Sequence, residues 1–387
     1  MNKAVVLQSG GCTAVINQSL CGVVKACKEN GIDIYGARWG VEGLIKQDFL
    51  DFTIMDDSVI TKIGNLPSSF LGSSRIKLDE KSALDVVNAL SEKGVSAVFL
   101  IGGNDTALNA KFLADASNVL GAEMRIIGIP KTIDNDLPFM HYCPGYGSVA
   151  RFAAITTQEA SLDTLAMKNV DPIKVIEVMG RNAGWIVAAS ALLKRAPAQG
   201  PHLLCFPERP FEWDGFLQKL EDIYKRYGYA VVVISETIRD KDGRRIGEKK
   251  DGLVADGFGH PYVESPAQRI CAVVEERFKV RARYDKPGTI QRMSMAYVSD
   301  RDQRDAFGCG RFAVQLALEG KSGLEVVLKD NGEFSYVDIS EIASVERLLP
   351  ENFINKDGDF ITQDFVDYCM PLIGSNVPDF SWAYDLV

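Results

Sequence analysis

No CxxC pair occurs among the eight cysteines of this sequence, which fall at 12, 21, 27, 143, 205, 271, 309 and 369. Structural zinc sites draw on closely spaced cysteine and histidine ligands, so this scatter argues against them. It reads instead as buried free thiols of a reducing compartment. Also missing is an apolar run of the roughly 18 residues that a membrane helix needs. The start, MNKAVVLQSGG, has no signal-peptide pattern and runs directly into a strand; the expectation is a soluble cytoplasmic protein. Basic residues are in deficit, 43 Lys and Arg against 52 Asp and Glu, a net charge of -9. Without a basic face, nucleic acid is a poor partner, and an anionic ligand would need a local cluster of cations. There is no low-complexity tract and no internal repeat. No GxGxxG follows the first apolar run, which argues against a dinucleotide site.

What is present fits an ordinary globular chain: 387 residues, 46% hydrophobic and 25% charged, a length that suggests two lobes. Short apolar runs alternate with amphipathic stretches. Strands are expected at 4–7, 32–37, 95–101, 125–129, 173–178, 202–206 and 230–235. Helices are expected at about 15–29, 79–92, 104–120, 148–168, 182–194, 212–227 and 261–278. This alternation predicts an α/β protein with mostly parallel, doubly wound sheets flanked by helices. Residues 240–250 (DKDGRRIGEKK) read as a charged surface excursion or a short hairpin. From about 330 the rhythm weakens into a short hairpin, a helix near 340–349 and an extended tail.

Ligands of open α/β sheets bind beyond the carboxyl ends of the strands, and four such junctions carry unusual residues. Ser9-Gly10-Gly11-Cys12-Thr13 follows the first strand; its glycines permit a close backbone approach to an anion at a helix start, though Gly-Gly turns are common there. Gly102-Gly103-Asn104-Asp105-Thr106 adds a carboxylate, which could cap the helix or hold Mg²⁺. Pro130-Lys131-Thr132-Ile133-Asp134-Asn135-Asp136-Leu137-Pro138 sets two carboxylates beside a lysine between prolines that stiffen the loop. One carboxylate can take a hydroxyl proton, the other can serve a metal, and the lysine can neutralise charge on a transferred phosphoryl group; a solvated turn is the bland alternative. Met179-Gly180-Arg181 follows the strand at 173–178, and its arginine offers a rigid fork for phosphate.

The strings GG at 10–11, GGNDT, PKTIDND, MGR and IQR at 290–292, in this order and spacing, resemble the phosphofructokinase family over about residues 3–320. The resemblance implies two Rossmann-like lobes. A phosphoryl-donor lobe is expected over 1–145 plus about 287–320, a sugar-phosphate lobe over 146–286 plus about 321–345, and a C-terminal extension over 346–387. It also implies that Asp134 deprotonates the C1 hydroxyl of fructose 6-phosphate, with Thr132 and Ile133 in the same loop and Asp136 near the metal and the transferred phosphate. Asn104 and Asp105 join Asp136 as the Mg²⁺ group. Met179, Gly180 and Arg181 form the sugar-contacting turn, and Glu236 accepts hydrogen bonds from sugar hydroxyls. Arg283 and Arg292 grip the 6-phosphate, part of that pocket coming from a neighbouring subunit, so the chain is expected to form a homodimer or homotetramer. Gly11 contacts the donor phosphates and Arg75 bridges them.

Two positions bear on the donor. The family's ATP enzymes typically carry glycine where this chain has Asp105 and Lys131, and its pyrophosphate-dependent members carry Asp and Lys. A carboxylate where the α-phosphate of ATP would lie adds volume and like charge, so the resemblance implies pyrophosphate as donor, a reversible reaction, and no allosteric effectors of the ATP type. Departures from the wider pattern are Cys12, Thr13-Ala14-Val15, Asn104, Pro172 near a usual arginine (with Lys174 as a substitute cation), and Thr289 in place of a histidine. Sedoheptulose 7-phosphate is a plausible additional substrate. The competing readings are an ATP-dependent 6-phosphofructokinase, a kinase of the NAD-kinase type, and a non-catalytic sugar-phosphate-binding subunit.

Overall fold

The computed structural model describes residues 1–248 and 264–385. Among the described residues the chain forms eleven strands: β1 (Lys3–Gln8), β2 (Asp33–Ala37), β3 (Phe49–Asp51), β4 (Ala97–Gly102), β5 (Arg125–Pro130), β6 (Ile173–Val178), β7 (Leu203–Cys205), β8 (Ala230–Ser235), β9 (Ala282–Asp285), β10 (Leu324–Leu328) and β11 (Phe334–Asp338). It divides into two units, Met1–Val149 with Arg292–Arg347, and Ala150–Gln291 with Leu348–Val387.

In the first unit the sheet order is β11-β10-β5-β4-β1-β2-β3, parallel except at its edges, where β11 and β3 run antiparallel to their neighbours. Strands β1, β4 and β5 are near-continuous apolar runs because both faces are covered. Alternate side chains serve opposite faces. Val6, Phe99, Ile101, Ile127 and Ile129 pack with the helices Ile16–Glu29 and Asp300–Leu318; Val5, Leu7, Val98, Leu100 and Ile126 pack with Glu80–Glu92 and Asn104–Val119. The chain leaves β1 toward β2 on one side and returns to β4 on the other. That reversal opens a crevice at the carboxyl ends of β1 and β4.

The second unit holds a fully parallel sheet, β7-β8-β6-β9. Here the chain moves from β6 to one side for β7 and β8, then to the other for β9, so the reversal falls at the ends of β6 and β9. No helix among the described residues is long and apolar enough to cross a membrane.

The structure departs from the sequence reading in several places. Residues 321–345 were expected in the second lobe and 346–387 as a separate extension. Instead β10 pairs in parallel with β5, Leu324 opposite Ile127, which places it in the first unit. Residues 348–387 group with the second unit, where Phe353 and Tyr368 pack on Trp185. The helix expected at 182–194 shortens to Trp185–Ala189, and that at 340–349 to Ile339–Ile342. The helix expected at 261–278 spans Pro266–Phe278, and its first three positions lie outside the described residues.

Helix Asp300–Leu318 has no counterpart in the sequence reading. Its polar opening DRDQRD and two glycines depress helix propensity, yet Ser299 caps it by accepting from Asp302 N, and one glycine has a packing reason. A Cβ on Gly310 would stand 2.2 Å from Ser19 O, and a Cβ on Gly22 would stand 2.1 Å from Phe307 O. The two helices therefore cross at backbone contact, each supplying a glycine where the other approaches. Gly310→Ala is expected to lower stability by about 1–3 kcal/mol through overpacking. Gly215→Ala, on a helix with open space around it, should be neutral or stabilising by up to about 1 kcal/mol. Guanidinium unfolding midpoints measure both, and equal midpoints for the two variants would rule out the close crossing.

Candidate functional site

Within the first unit, the turn after β1 is held from two sides. Ser73 Oγ donates to Gly10 O at 2.6 Å and Gly10 N to Ser74 O at 3.3 Å, so the segment carrying Arg75 is tied to the glycine turn. Gly10 adopts φ +77, the left-handed region that favours glycine. Its missing side chain leaves room for Lys131: a Cβ there would lie 3.2 Å from Lys131 Nζ. Lys131 is only 4% exposed. Burial pulls its pKa down to about 8, although Cys12, Asp134 and Asp136 draw it upward. At Cys12 burial pushes the thiol up, but hydrogen bonds from Ser68 and Ser69 and the Arg292 charge leave it below its ordinary value.

The loop after β5 alternates in exposure. Lys131, Ile133, Asn135 and Leu137 are buried, whereas Thr132, Asp134 and Asp136 are half-buried. Thr132 Oγ1 accepts from Asp134 N at 3.0 Å and bonds the Asp136 carboxylate. Asp136 has its pKa raised by burial, with Glu346 pushing the same way. Asn135 takes φ +54, and its Oδ1 accepts from Cys143 N at 2.9 Å. Arg347 clamps the loop. Its backbone N donates to Asp136 O at 2.7 Å, Nε and Nη2 donate to Asn135 O at 3.1 and 2.9 Å, and Nη1 reaches Met140 O and His141 O. A loop with a left-handed asparagine would otherwise have buried carbonyls without partners.

Asn104 and Asp105 open the helix Asn104–Val119, which begins at Gly103 with no side-chain cap, so Asp105 does not cap it. Asp105 is exposed and pairs with Lys77 at 2.9 Å. When Asn104 nitrogen donates to Val345 O (3.1 Å) and Ile342 O (3.3 Å), its oxygen takes the place 3.4 Å from Asp136 Oδ2. Two facing oxygens suit a shared cation.

The second unit gathers another group at the ends of β6, β8 and β9. Met179 N donates to Gln291 Oε1 at 3.2 Å. Gly180 takes φ +127, and Arg181 is exposed, with its carbonyl accepting from Thr237 Oγ1. Glu236 N donates to Val178 O at 3.0 Å. Burial raises the Glu236 pKa, while Lys286, Arg181 and the Gly180 N–H favour its ionised form. Lys286 also pairs with the buried Glu177 at 2.6 Å. Met179, Gly180, Arg181 and Glu236 are thus brought together, and Thr289 is exposed in the turn after β9. Arg283 is not part of this group. It pairs at 2.6 Å with Asp171, which precedes β6, and Arg281 joins at 3.2 Å. Lys174 is likewise engaged, by Asp285 at 2.9 Å.

Three residues absent from the sequence reading stand out. Gln291 lies inside the IQR string and Lys286 in a DKPG turn, so both had a local signal. Arg347 had none, lying more than 200 positions from the carbonyls it holds.

Phosphate-ready turns at the switch points of two doubly wound sheets define a phosphoryl-transfer class of protein. The chain belongs to the phosphofructokinase family, whose model matches residues 3–316. It is 36% identical over 388 residues to the Rhodospirillum rubrum pyrophosphate–fructose 6-phosphate 1-phosphotransferase, covering 97% of this chain and 95% of that one. It is 32% identical to the protein of the same name from Xanthomonas campestris, covering 96% and 91%. Among solved structures it is similar to the pyrophosphate-dependent phosphofructokinase of Nitrosospira multiformis, with TM-score 0.89 and 32% identity, covering 98% of this chain and 94% of that one.

Arg347→Lys keeps a charge but loses the fork that spans the carbonyls of Asn135, Met140 and His141. Phosphofructokinase turnover should fall about 100-fold, as small displacements of reacting groups do, with sugar-phosphate KM little changed. Steady-state kinetics beside a melting curve decide it: a lowered melting temperature with intact kcat would reduce Arg347 to a structural strut.

Proposed function

We propose that this chain transfers a phosphoryl group reversibly from pyrophosphate to the C1 hydroxyl of fructose 6-phosphate, giving fructose 1,6-bisphosphate and phosphate. The observation that carries the reading is the buried ammonium of Lys131 against the Gly10 turn, with Asp134 and Asp136 in the same loop. A desolvated cation at a glycine turn suits a compact polyanion. Asp105, in the first turn of the neighbouring helix, adds a carboxylate against a longer nucleotide donor.

In this mechanism Asp134 accepts the proton of the C1 hydroxyl. That oxygen forms a bond to the terminal phosphorus of the donor, the bridging P–O bond breaks, and inorganic phosphate leaves. Lys131 neutralises charge on the departing group, and Gly11 and Arg75 contact the donor phosphates. Thr132 holds the loop by bridging its own turn, and Ile133 anchors it in the core. On the acceptor, Met179, Gly180 and Arg181 contact the sugar, Glu236 accepts from its hydroxyls, and Thr289 flanks the phosphate end. Arg283, drawn toward Asp171, is assigned to the sugar phosphate bound by a neighbouring subunit of a homodimer or homotetramer.

Asp136, Asp105 and the Asn104 oxygen would hold Mg²⁺, which neutralises phosphate oxygens when bound. The desolvated Asp136 beside Glu346 fits a cation. No three acidic, histidine or cysteine side chains cluster as metal ligands among the described residues, so most of the coordination would come from diphosphate oxygens and water. A cytoplasmic setting accords with eight unpaired cysteines.

A matrix of donors and sugar-phosphate acceptors with Mg²⁺ tests the reading. Pyrophosphate with fructose 6-phosphate should be the productive pair, and equal turnover with ATP would overturn the donor assignment. Asp134→Asn should lower kcat by about 10²–10⁴ with sugar affinity retained; an unchanged rate removes it from the mechanism. In the free enzyme Lys131 holds its proton below about pH 8 and loses it above. The kcat/KM for pyrophosphate should therefore decline as pH rises past about 8, and Lys131→Met should erase that limb of the profile.

A further inference from the structure

Gly145 stands where three segments of the first unit meet. Its φ is +110, in the range that favours glycine. A Cβ there would lie 3.0 Å from Thr13 Cγ2 and 3.3 Å from Thr132 O. Thr13 belongs to the turn after β1 and Thr132 to the carboxylate loop after β5. The junction is bonded as well as packed. Thr132 N donates to Pro144 O at 3.3 Å, and Thr132 pairs with Gly145 as an isolated parallel bridge. With Cys143 N on Asn135 Oδ1, residues 143–145 give the loop a second support, separate from the carbonyls that Arg347 holds.

A distant carboxylate holds that support in turn. Asp302, in the first turn of the helix Asp300–Leu318, is fully buried. Its Oδ1 accepts from Gly145 N at 2.9 Å. Its Oδ2 accepts from Ser148 N at 2.8 Å and from Ser148 Oγ at 2.7 Å. Both backbone donors lie at the start of the helix Tyr146–Ala166, where N–H groups have no carbonyl of their own helix to meet. Such caps normally come from the residue just before a helix, and glycine has no side chain to give. Asp302 supplies the cap from 157 positions away, and its charge suits the positive end of a helix. Burial pushes its pKa up to about 6, so near neutral pH it is ionised and both oxygens accept. Asp305, three positions on, takes side chains instead: its Oδ2 accepts from Tyr142 Oη at 2.6 Å and Arg301 Nε at 2.9 Å.

Resting on the proposed phosphoryl transfer, we infer that Asp302 is a positioning residue for the base. By fixing Gly145 and Ser148 it sets where the backbone of residues 132–136 stands, and so where Asp134 meets the acceptor hydroxyl. Buried in full, it acts through Gly145 and Thr132 and not on the substrates.

The test joins steady-state kinetics on pyrophosphate and fructose 6-phosphate with hydrogen–deuterium exchange, for wild type, Asp302→Asn, Ser148→Ala and Asp305→Asn. In Asp302→Asn the amide turns a donor toward one of the N–H groups it should accept from. Its kcat is expected to fall about 10–100-fold, the scale set by a small displacement of reacting groups, with both KM values little changed. Exchange should quicken in residues 132–136 and 143–149 and stay as in wild type in the helix Glu80–Glu92. Asp305→Asn should keep the wild-type kcat. An unchanged kcat in Asp302→Asn overturns the inference, and so does a loss accompanied by faster exchange throughout the unit, or an equal loss in Asp305→Asn. Should Asp302→Asn not fold, Ser148→Ala decides, because it removes one of the three bonds: a several-fold drop in kcat at constant KM sustains the inference, and an unaltered kcat ends it. If wild type itself does not turn over this substrate pair, the reaction reading falls, and the exchange of residues 132–136 in Asp302→Asn still shows whether Asp302 holds the loop.

Discussion

An ammonium group taken out of water beside a turn that has no side chains of its own is the constraint on which the donor half of this molecule is built. Lys131 follows β5, which is buried from Ile126 to Pro130, is itself almost wholly buried, and faces the left-handed Gly10. Removing a cation from water is unfavourable unless charge of the opposite sign meets it, and here Cys12, Asp134 and Asp136 offset the penalty only in part, leaving the pKa near 8. The local structure is thus incomplete without an anion. That converts a net acidic protein of charge -9 into one with a focused attraction for phosphate.

The rest of the first unit reads as support for that arrangement. The switch between β1 and β4 sets the two glycine turns side by side, and Ser73 and Ser74 fasten one of them. The carboxylate loop is harder to hold, because alternating exposure and a left-handed asparagine leave its carbonyls turned inward. Arg347 answers with a single planar group that meets the carbonyls of residues 135, 140 and 141, while its own backbone meets that of 136. Thr132 does the same from within the loop. Both devices fix backbone, and so fix the direction in which the proposed base, Asp134, is carried.

The second unit uses opposite charges more evenly. Glu236 and Glu177 share Lys286, and the exposed Arg181 also favours the ionised form of Glu236. A neutral, hydroxyl-rich ligand with one charged end suits such a mixture better than a polyanion does. The pairing of Arg283 and Arg281 with Asp171 lies before β6, at the strand's other end from the Met179 turn. Those arginines consequently act on a different surface from the turn that chain order alone would suggest.

Much was legible in the residue order. Unbroken apolar strands such as AVFLIG and AVVVIS announced buried parallel sheets, because only a strand covered on both faces can be apolar at every position. Glycine, proline and paired carboxylates marked the turns, since the backbone geometry they permit is local. Helix Asp300–Leu318 escaped notice because Gly310 answers to a neighbouring helix and Gly308 to the ring of Phe334 in β11 rather than to their own propensity. By itself, then, the sequence determined the fold class, the family and the position of the chemistry-bearing turns, all of which depend on short-range pattern. Only the tertiary structure decided that β10 joins the first sheet, that Arg347 reaches across the chain to the carboxylate loop, and that Asp302 takes the backbone N–H groups of Gly145 and Ser148. Those outcomes depend on which distant atoms are brought within hydrogen-bonding reach, and no spacing along the chain encodes that.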